Sequence, residues 1–174
     1  MTYRILGITG SRPHKFPDGL LNAVREKVVE RIAGFAAQGG EQLLQGGAQG
    51  VDTWAALAGL EHGLDIITCV PFPQQADFWG QQDKEVYQHI LDSSKEVKVF
   101  GESAQNRYYF QRNSAIVANS DIMLAASVAG QKGGANHTAQ LAQKQGKALI
   151  WLRVDQGVIT QDFFAGKNTP TLFD

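Results

Sequence analysis

Three junctions in the chain carry the residue types needed to hold an anion. Gly46-Gly47-Ala48-Gln49-Gly50-Val51-Asp52 leads from two leucines into an alanine-rich stretch, and Gly133-Gly134-Ala135-Asn136-His137-Thr138 also opens onto helical periodicity. Where a strand turns into a helix, glycines let bare backbone approach a ligand, and the helix N-terminus adds N–H donors with partial positive charge. Phosphate or carboxylate suits such a turn, although the same glycines also serve a tight turn and close packing of helix on sheet. The third junction, Gly10-Ser11-Arg12, offers a guanidinium that grips phosphate through two N–H bonds and a hydroxyl beside it.

Other residues have two readings each. Arg112-Asn113 stands ahead of a strand, either as a ligand contact or as part of a solvated helix face. Asp52 either caps its own helix or accepts ribose hydroxyls. Phe72 and Trp79 are placed at the mouth of the cleft, within the segment "VPFPQQADFWGQQD". The four histidines, His14, His62, His89 and His137, have unrelated spacings, so no metal site is expected. Neither GxGxxG nor GxxxxGK[ST] occurs, which argues against the usual dinucleotide fingerprint and against P-loop hydrolysis of ATP.

The elements that must position these residues follow from periodicity. Apolar, β-branched runs predict strands at about 3–9, 42–45, 64–70, 96–100, 121–126 and 147–153. Helical spacing predicts helices near 20–38, 51–62, 83–93, 107–118 and 134–145. This alternation implies a Rossmann-like α/β domain, a mostly parallel sheet with helices on both faces. Ligands in such sheets bind beyond the carboxyl ends of the strands, where the three junctions fall. The whole chain, 1–174, is expected to be one domain with a core at about 3–153; residues 154–174, with Phe163, Phe164 and Phe173, pack on the sheet edge or meet a partner chain.

Composition narrows the function. Of 174 residues 43% are hydrophobic and 19% charged, with a net charge of −1, so concentrated positive charge for nonspecific nucleic-acid binding is not apparent. The single Cys69 lies in an apolar run and reads as a buried strand residue in a reducing compartment. No stretch approaches a signal peptide or membrane span, so a cytoplasmic protein without membrane contact is expected. Exposed apolar helix faces on small α/β domains often pair, and a homo-oligomer is expected.

"GITGSRP", "QGGAQGVDTWAA", "VPFPQQADFWGQQDKEVY", "QRNSAIVANSDIMLAA" and "GGANHTAQLAQKQGKAL" together resemble the SLOG superfamily of Rossmann-like proteins. That group includes YpsA-like proteins, the DNA-processing DprA (Smf) proteins and the LOG phosphoribohydrolases. The resemblance covers roughly residues 4–153 and is nearest to the YpsA-like branch. It implies a nucleotide or nucleotide-derived ligand whose phosphate lies among Gly10, Ser11, Arg12, Gly46 to Gly50, and Gly133 to Thr138. LOG enzymes carry PGGxGTxxE with a glutamate that takes part in glycosidic cleavage. Here Lys132 replaces the proline, and, counted from Thr138, Leu141 stands three residues on, where that glutamate would be. The leading expectation is therefore binding or sensing of a nucleotide-like ligand. Hydrolysis of the LOG type and DprA-like binding of single-stranded DNA, through Arg12, Lys15, Arg107, Arg112 and Lys132, remain the alternatives.

Overall fold

A computed structural model describes residues 3–167. Its strands are β1 (Ile5–Gly10), β2 (Gln42–Gln45), β3 (Asp65–Val70), β4 (Glu96–Val99), β5 (Ile122–Val128), β6 (Ala148–Asp155) and β7 (Val158–Phe164). Helices α1 (Leu21–Ala37), α2 (Val51–Glu61), α3 (Gln81–Ser93), α4 (Asn106–Ala118) and α5 (Gly134–Lys144) connect the first six. The strands form one sheet in the order β4-β3-β2-β1-β5-β6-β7, parallel except for β7. The α/β, Rossmann-like class read from periodicity is the observed one.

Alternation along the central strands divides the core. Leu6, Ile8, Leu43, Ile66, Ile122 and Leu124 point to the face covered by α1 and α2, where Val24, Val28 and Ile32 repeat every four residues along α1. Leu44, Ile67, Met123, Ala125 and Leu149 point to the other face, under Ile116 and Val117 of α4 and Ala139 and Ala142 of α5. Because both faces are covered, β5 reads as an almost unbroken apolar run. The Asp121 carboxylate accepts the backbone N–H groups of Arg4 and Ile5, which starts β1 in register beside β5.

After β4 the chain crosses to the far side of β1 and continues as β5. The strand order therefore reverses between β1 and β5, and a crevice opens there beyond their carboxyl ends. The Ser11 N–H closes the base of this fork on the Ala126 carbonyl (2.9 Å). Gly10 is required by close approach, since a Cβ there would lie 2.2 Å from Val51 Cβ at the start of α2.

The sequence left residues 154–174 open; their described part is a hairpin. Gln156 and Gly157, with φ of 47° and 80°, turn β6 into β7 through a two-residue loop of the kind that suits twisted strands. Phe164 packs against Trp151, ring centroids 6.3 Å apart, while Phe173 lies outside the described residues. Gly10→Ala is expected to cost about 1–3 kcal/mol through overpacking. In urea titrations that cost should shrink when Val51 is glycine, which removes the Cβ that the methyl meets; an equal cost in both backgrounds would mean Val51 is not what the methyl meets.

Candidate functional site

The first glycine turn is organised by a buried arginine. Arg112 of α4 is only 6% exposed; its Nη1 donates to the Gly46 carbonyl and, at 3.4 Å, to that of Cys69. Its Nε donates to Asn113 Oδ1 at 2.7 Å, and Gln75 Nε2 also donates to Gly46 O. A Cβ on Gly46 would sit 2.0 Å from Arg112 Nη1, so glycine is needed there for the guanidinium to reach the backbone. Asp52 does not cap α2, whose N-cap is Gly50; its Oδ2 instead accepts the N–H groups of Gly46 (3.1 Å) and Ala48 (3.2 Å). The Gly47 N–H goes to Gln45 Oε1. The amides of Gly46, Gly47 and Ala48 are thus consumed inside the protein, and of the turn's residues Ala48 and Asp52 line the crevice whereas Gly46, Gly47 and Gly50 do not.

Burial pushes the Asp52 carboxyl above its ordinary value of 3.8, against the pull of Arg112, the Ala48 N–H, Arg12 and the Gly46 N–H. Burial likewise lowers Arg112, opposed by the Asp52 charge. Each group limits the cost of burying the other.

The crevice at the β1/β5 reversal is a cavity of about 570 Å³. Gly10, Ser11, Arg12 and Lys15 form one wall, and α5's first turn with Gln131 and Lys132 forms another. Among the described residues no side chain caps α5. The N–H groups of Gly134, Ala135 and Asn136 have no protein acceptor among the described residues. Arg12, Lys15 and Lys132 form no ion pair within 4 Å among the described residues, and Asp52 is the one carboxylate in the lining. The cavity therefore carries excess positive charge although the chain as a whole is near neutral.

The third wall is α4. Asn106, Tyr109, Phe110 and Asn113 recur at i, i+3, i+4 and i+7 and so share one helix face toward the cavity. Phe110 is 54% exposed and meets the His137 ring edge-on at 5.8 Å. Tyr109 is held from behind by Phe72, edge to face at 5.2 Å. Phe72 is thus buried behind the wall, and Trp79 packs on Tyr87 (5.3 Å); neither lines the cavity mouth, where the exposed aromatic is Phe110.

Among the other predicted site residues, Gly133, Gly134 and Asn136 line the cavity; Thr138 does not. Asn136 clamps the preceding loop, donating to the carbonyls of Val128 and Gln131 and accepting from Ser127 Oγ. Thr138 is buried and donates to the Gly134 carbonyl. Sequence reasoning passed over Asn106, Tyr109, Phe110 and Gln131, and took Lys15 and Lys132 only as scattered cations. The α4 spacing was the available signal for the first three. Among the described residues no group of three His, Cys, Asp or Glu is placed to hold a metal, and no helix is long and apolar enough to cross a membrane.

Residues 6–152 match the YspA SLOG family, and the chain belongs to that family. A UPF0398 protein of Bacillus velezensis is 25% identical over 184 residues, covering 92% of this chain and 99% of the relative. The UPF0398 protein YpsA of Bacillus subtilis is 25% identical over 154 residues, covering 82% and 86%. In fold, the chain is similar to DNA processing protein A (DprA) of Streptococcus pneumoniae, with a TM-score of 0.65 and 19% identity over 88% of this chain. The match spans 52% of DprA, about half its length. The molybdenum cofactor carrier protein of Chlamydomonas reinhardtii matches with a TM-score of 0.56 and 21% identity, over 87% of this chain and 77% of the carrier.

Arg112→Met is expected to destabilise the protein by about 3 kcal/mol or more, because it strips the Gly46 carbonyl and the buried Asp52 of their partner. The pH dependence is a second check. A carboxyl whose folded pKa is raised favours the folded state below its unfolded value and loses that contribution as pH rises through the folded value. Urea titrations should therefore show stability falling from pH 4 upward, more steeply in Arg112→Met, where the lowering influence of the guanidinium is gone. A flat profile in both proteins would contradict the Asp52 assignment.

Proposed function

We propose that this SLOG-family chain binds or senses a nucleotide or nucleotide-derived phosphate in the cavity at the β1/β5 reversal. One observation carries the reading: unpaired cations and an uncapped helix N-terminus face the same cavity as an exposed aromatic. Arg12, Lys15, Lys132 and the first turn of α5 supply the anion wall, while Phe110 and Tyr109 supply an apolar wall. A phosphate suits the first and a planar base the second. Ser11 stands beside Arg12 on the anion side, and Asn106 and Asn113 add amides on the α4 side.

Binding without cleavage is the reading these residues support best. Glycosidic cleavage calls for a carboxylate that stabilises charge or activates water. Asp52 is the lining carboxylate, and its Oδ2 is already engaged by two backbone N–H groups. Neither Gln140, eight residues after Lys132, nor Leu141, three after Thr138, supplies the LOG carboxylate, and Leu141 packs on the core. DNA processing in the pneumococcal neighbour keeps single-stranded DNA as the second reading. In this chain, however, the cations converge on one pocket, an arrangement suited to a small ligand.

The test is a thermal-shift and calorimetric screen of nucleoside mono-, di- and triphosphates, cyclic nucleotides, ADP-ribose compounds and the molybdenum cofactor. A saturable stabilisation with the ligand recovered intact is expected. Arg12→Ala and Lys15→Ala should each weaken binding by about tenfold, the value of one charge-assisted contact, while leaving the melting temperature of the free protein nearly unchanged. Equal affinity for the dephosphorylated nucleoside would overturn the anion wall. Release of free base would move the reading to hydrolysis, and displacement of every ligand by oligo-dT would move it to DNA.

A further inference from the structure

The outer edge of the sheet bears a charge pattern that is complementary to itself. Among the described residues β4 is paired only with β3, through Ile67↔Glu96, Thr68↔Val97, Cys69↔Lys98 and Val70↔Val99. All four of its residues are exposed, and Val97 and Val99 keep 41% and 54% of their surface. Such an edge presents unpaired backbone donors and acceptors, and proteins usually guard it by keeping it short, or with proline, a bulge or charged side chains. β4 contains no proline, and its one lysine, Lys98, has Glu96 of the same strand beside it. Lys95 is paired with Asp65, and Lys98 lies 3.7 Å from Glu96 on the same face.

We propose that β4 pairs antiparallel with β4 of a second copy, across a two-fold axis at Val97, joining two seven-stranded sheets into one. In this register Glu96 lies opposite Lys98 of the partner subunit, Lys98 opposite the partner's Glu96, and the two Val97 side chains meet on the other face. Centring the axis on Lys98 would set lysine against lysine, and centring it on Glu96 would set glutamate against glutamate. Opposed like charges are unfavourable, so the pattern selects one register among the symmetric ones. An axis perpendicular to the sheet keeps each face continuous and points the strands of the two copies in opposite directions. The two β1/β5 crevices then open at opposite ends, so the pairing is independent of the ligand reading. With four residues per strand, the pairing suits a micromolar dimer and not an obligate one.

Sedimentation equilibrium from about 1 to 500 µM on the full chain tests this, with charge variants that leave the strand's apolar residues in place. The wild type is expected to dimerise in that range. Glu96→Lys and Lys98→Glu should each weaken self-association by about tenfold or more, the double exchange Glu96→Lys/Lys98→Glu should restore it, and the two single variants should associate when mixed. A wild type that stays monomeric at 500 µM overturns the proposal. So does a dimer insensitive to the single exchanges, or one the double exchange fails to restore, provided circular dichroism shows each variant folded.

Discussion

The site depends on one buried cation. Placing the Arg112 guanidinium under the first glycine turn removes it from water, a large cost unless its N–H groups and its charge are both answered. Gly46 and Cys69 supply carbonyls, Asn113 an amide oxygen and Asp52 the opposing charge. These partners come from the β2–α2 turn, from β3 and from α4 and α2, so one side chain ties together four parts of the fold. It also fixes the pose of α4, and therefore the face on which Asn106, Tyr109, Phe110 and Asn113 look into the crevice. The glycine at residue 46 follows from the same contact, since any side chain would occupy the guanidinium's place.

The two glycine turns consequently differ in kind. In the first, the amides of Gly46, Gly47 and Ala48 are spent on Asp52 and Gln45, so the turn is a support. In the second, Asn136 holds the loop ahead of α5 by two carbonyls, which leaves the first-turn amides facing no protein acceptor among the described residues. A helix N-terminus without a side-chain cap, with Arg12, Lys15 and Lys132 around it in no ion pair among the described residues, is where an incoming anion would find donors already in place. The near-zero net charge hides this, because compensating acids lie elsewhere on the surface.

Periodicity made the fold legible: the apolar runs at Ile5–Gly10 and Ile122–Val128 and the four-residue repeat of Val24, Val28 and Ile32 follow from burial alone. The junction after β1, with Ser11 and Arg12, and the turn before α5 were likewise legible, because sheet topology puts strand ends at the crevice. Three things were not. Asp52 was open between a cap and a ribose contact because its actual partners, two amides upstream, depend on a left-handed turn that composition does not specify. Arg112 gave no sign of burial, since its compensation comes from carbonyls distant in sequence. Phe72 and Trp79 were assigned to the mouth on local polarity, whereas aromatic packing on Tyr109 and Tyr87 holds them elsewhere. The hairpin turn at Gln156-Gly157 carried a readable signal that the ambiguity of the following phenylalanines obscured.

The central claim is that an anionic ligand enters the β1/β5 crevice and is met by the open turn and not by the buried one. Amide chemical-shift mapping during titration with ADP addresses this directly, because it reports on each turn separately. The account predicts saturable shifts concentrated at Ser11, Arg12 and Gly133 to His137, with Gly46 and Gly47 little changed. Shifts centred on Gly46 to Gly50 without the α5 turn, or confined to surfaces away from the crevice, would contradict it.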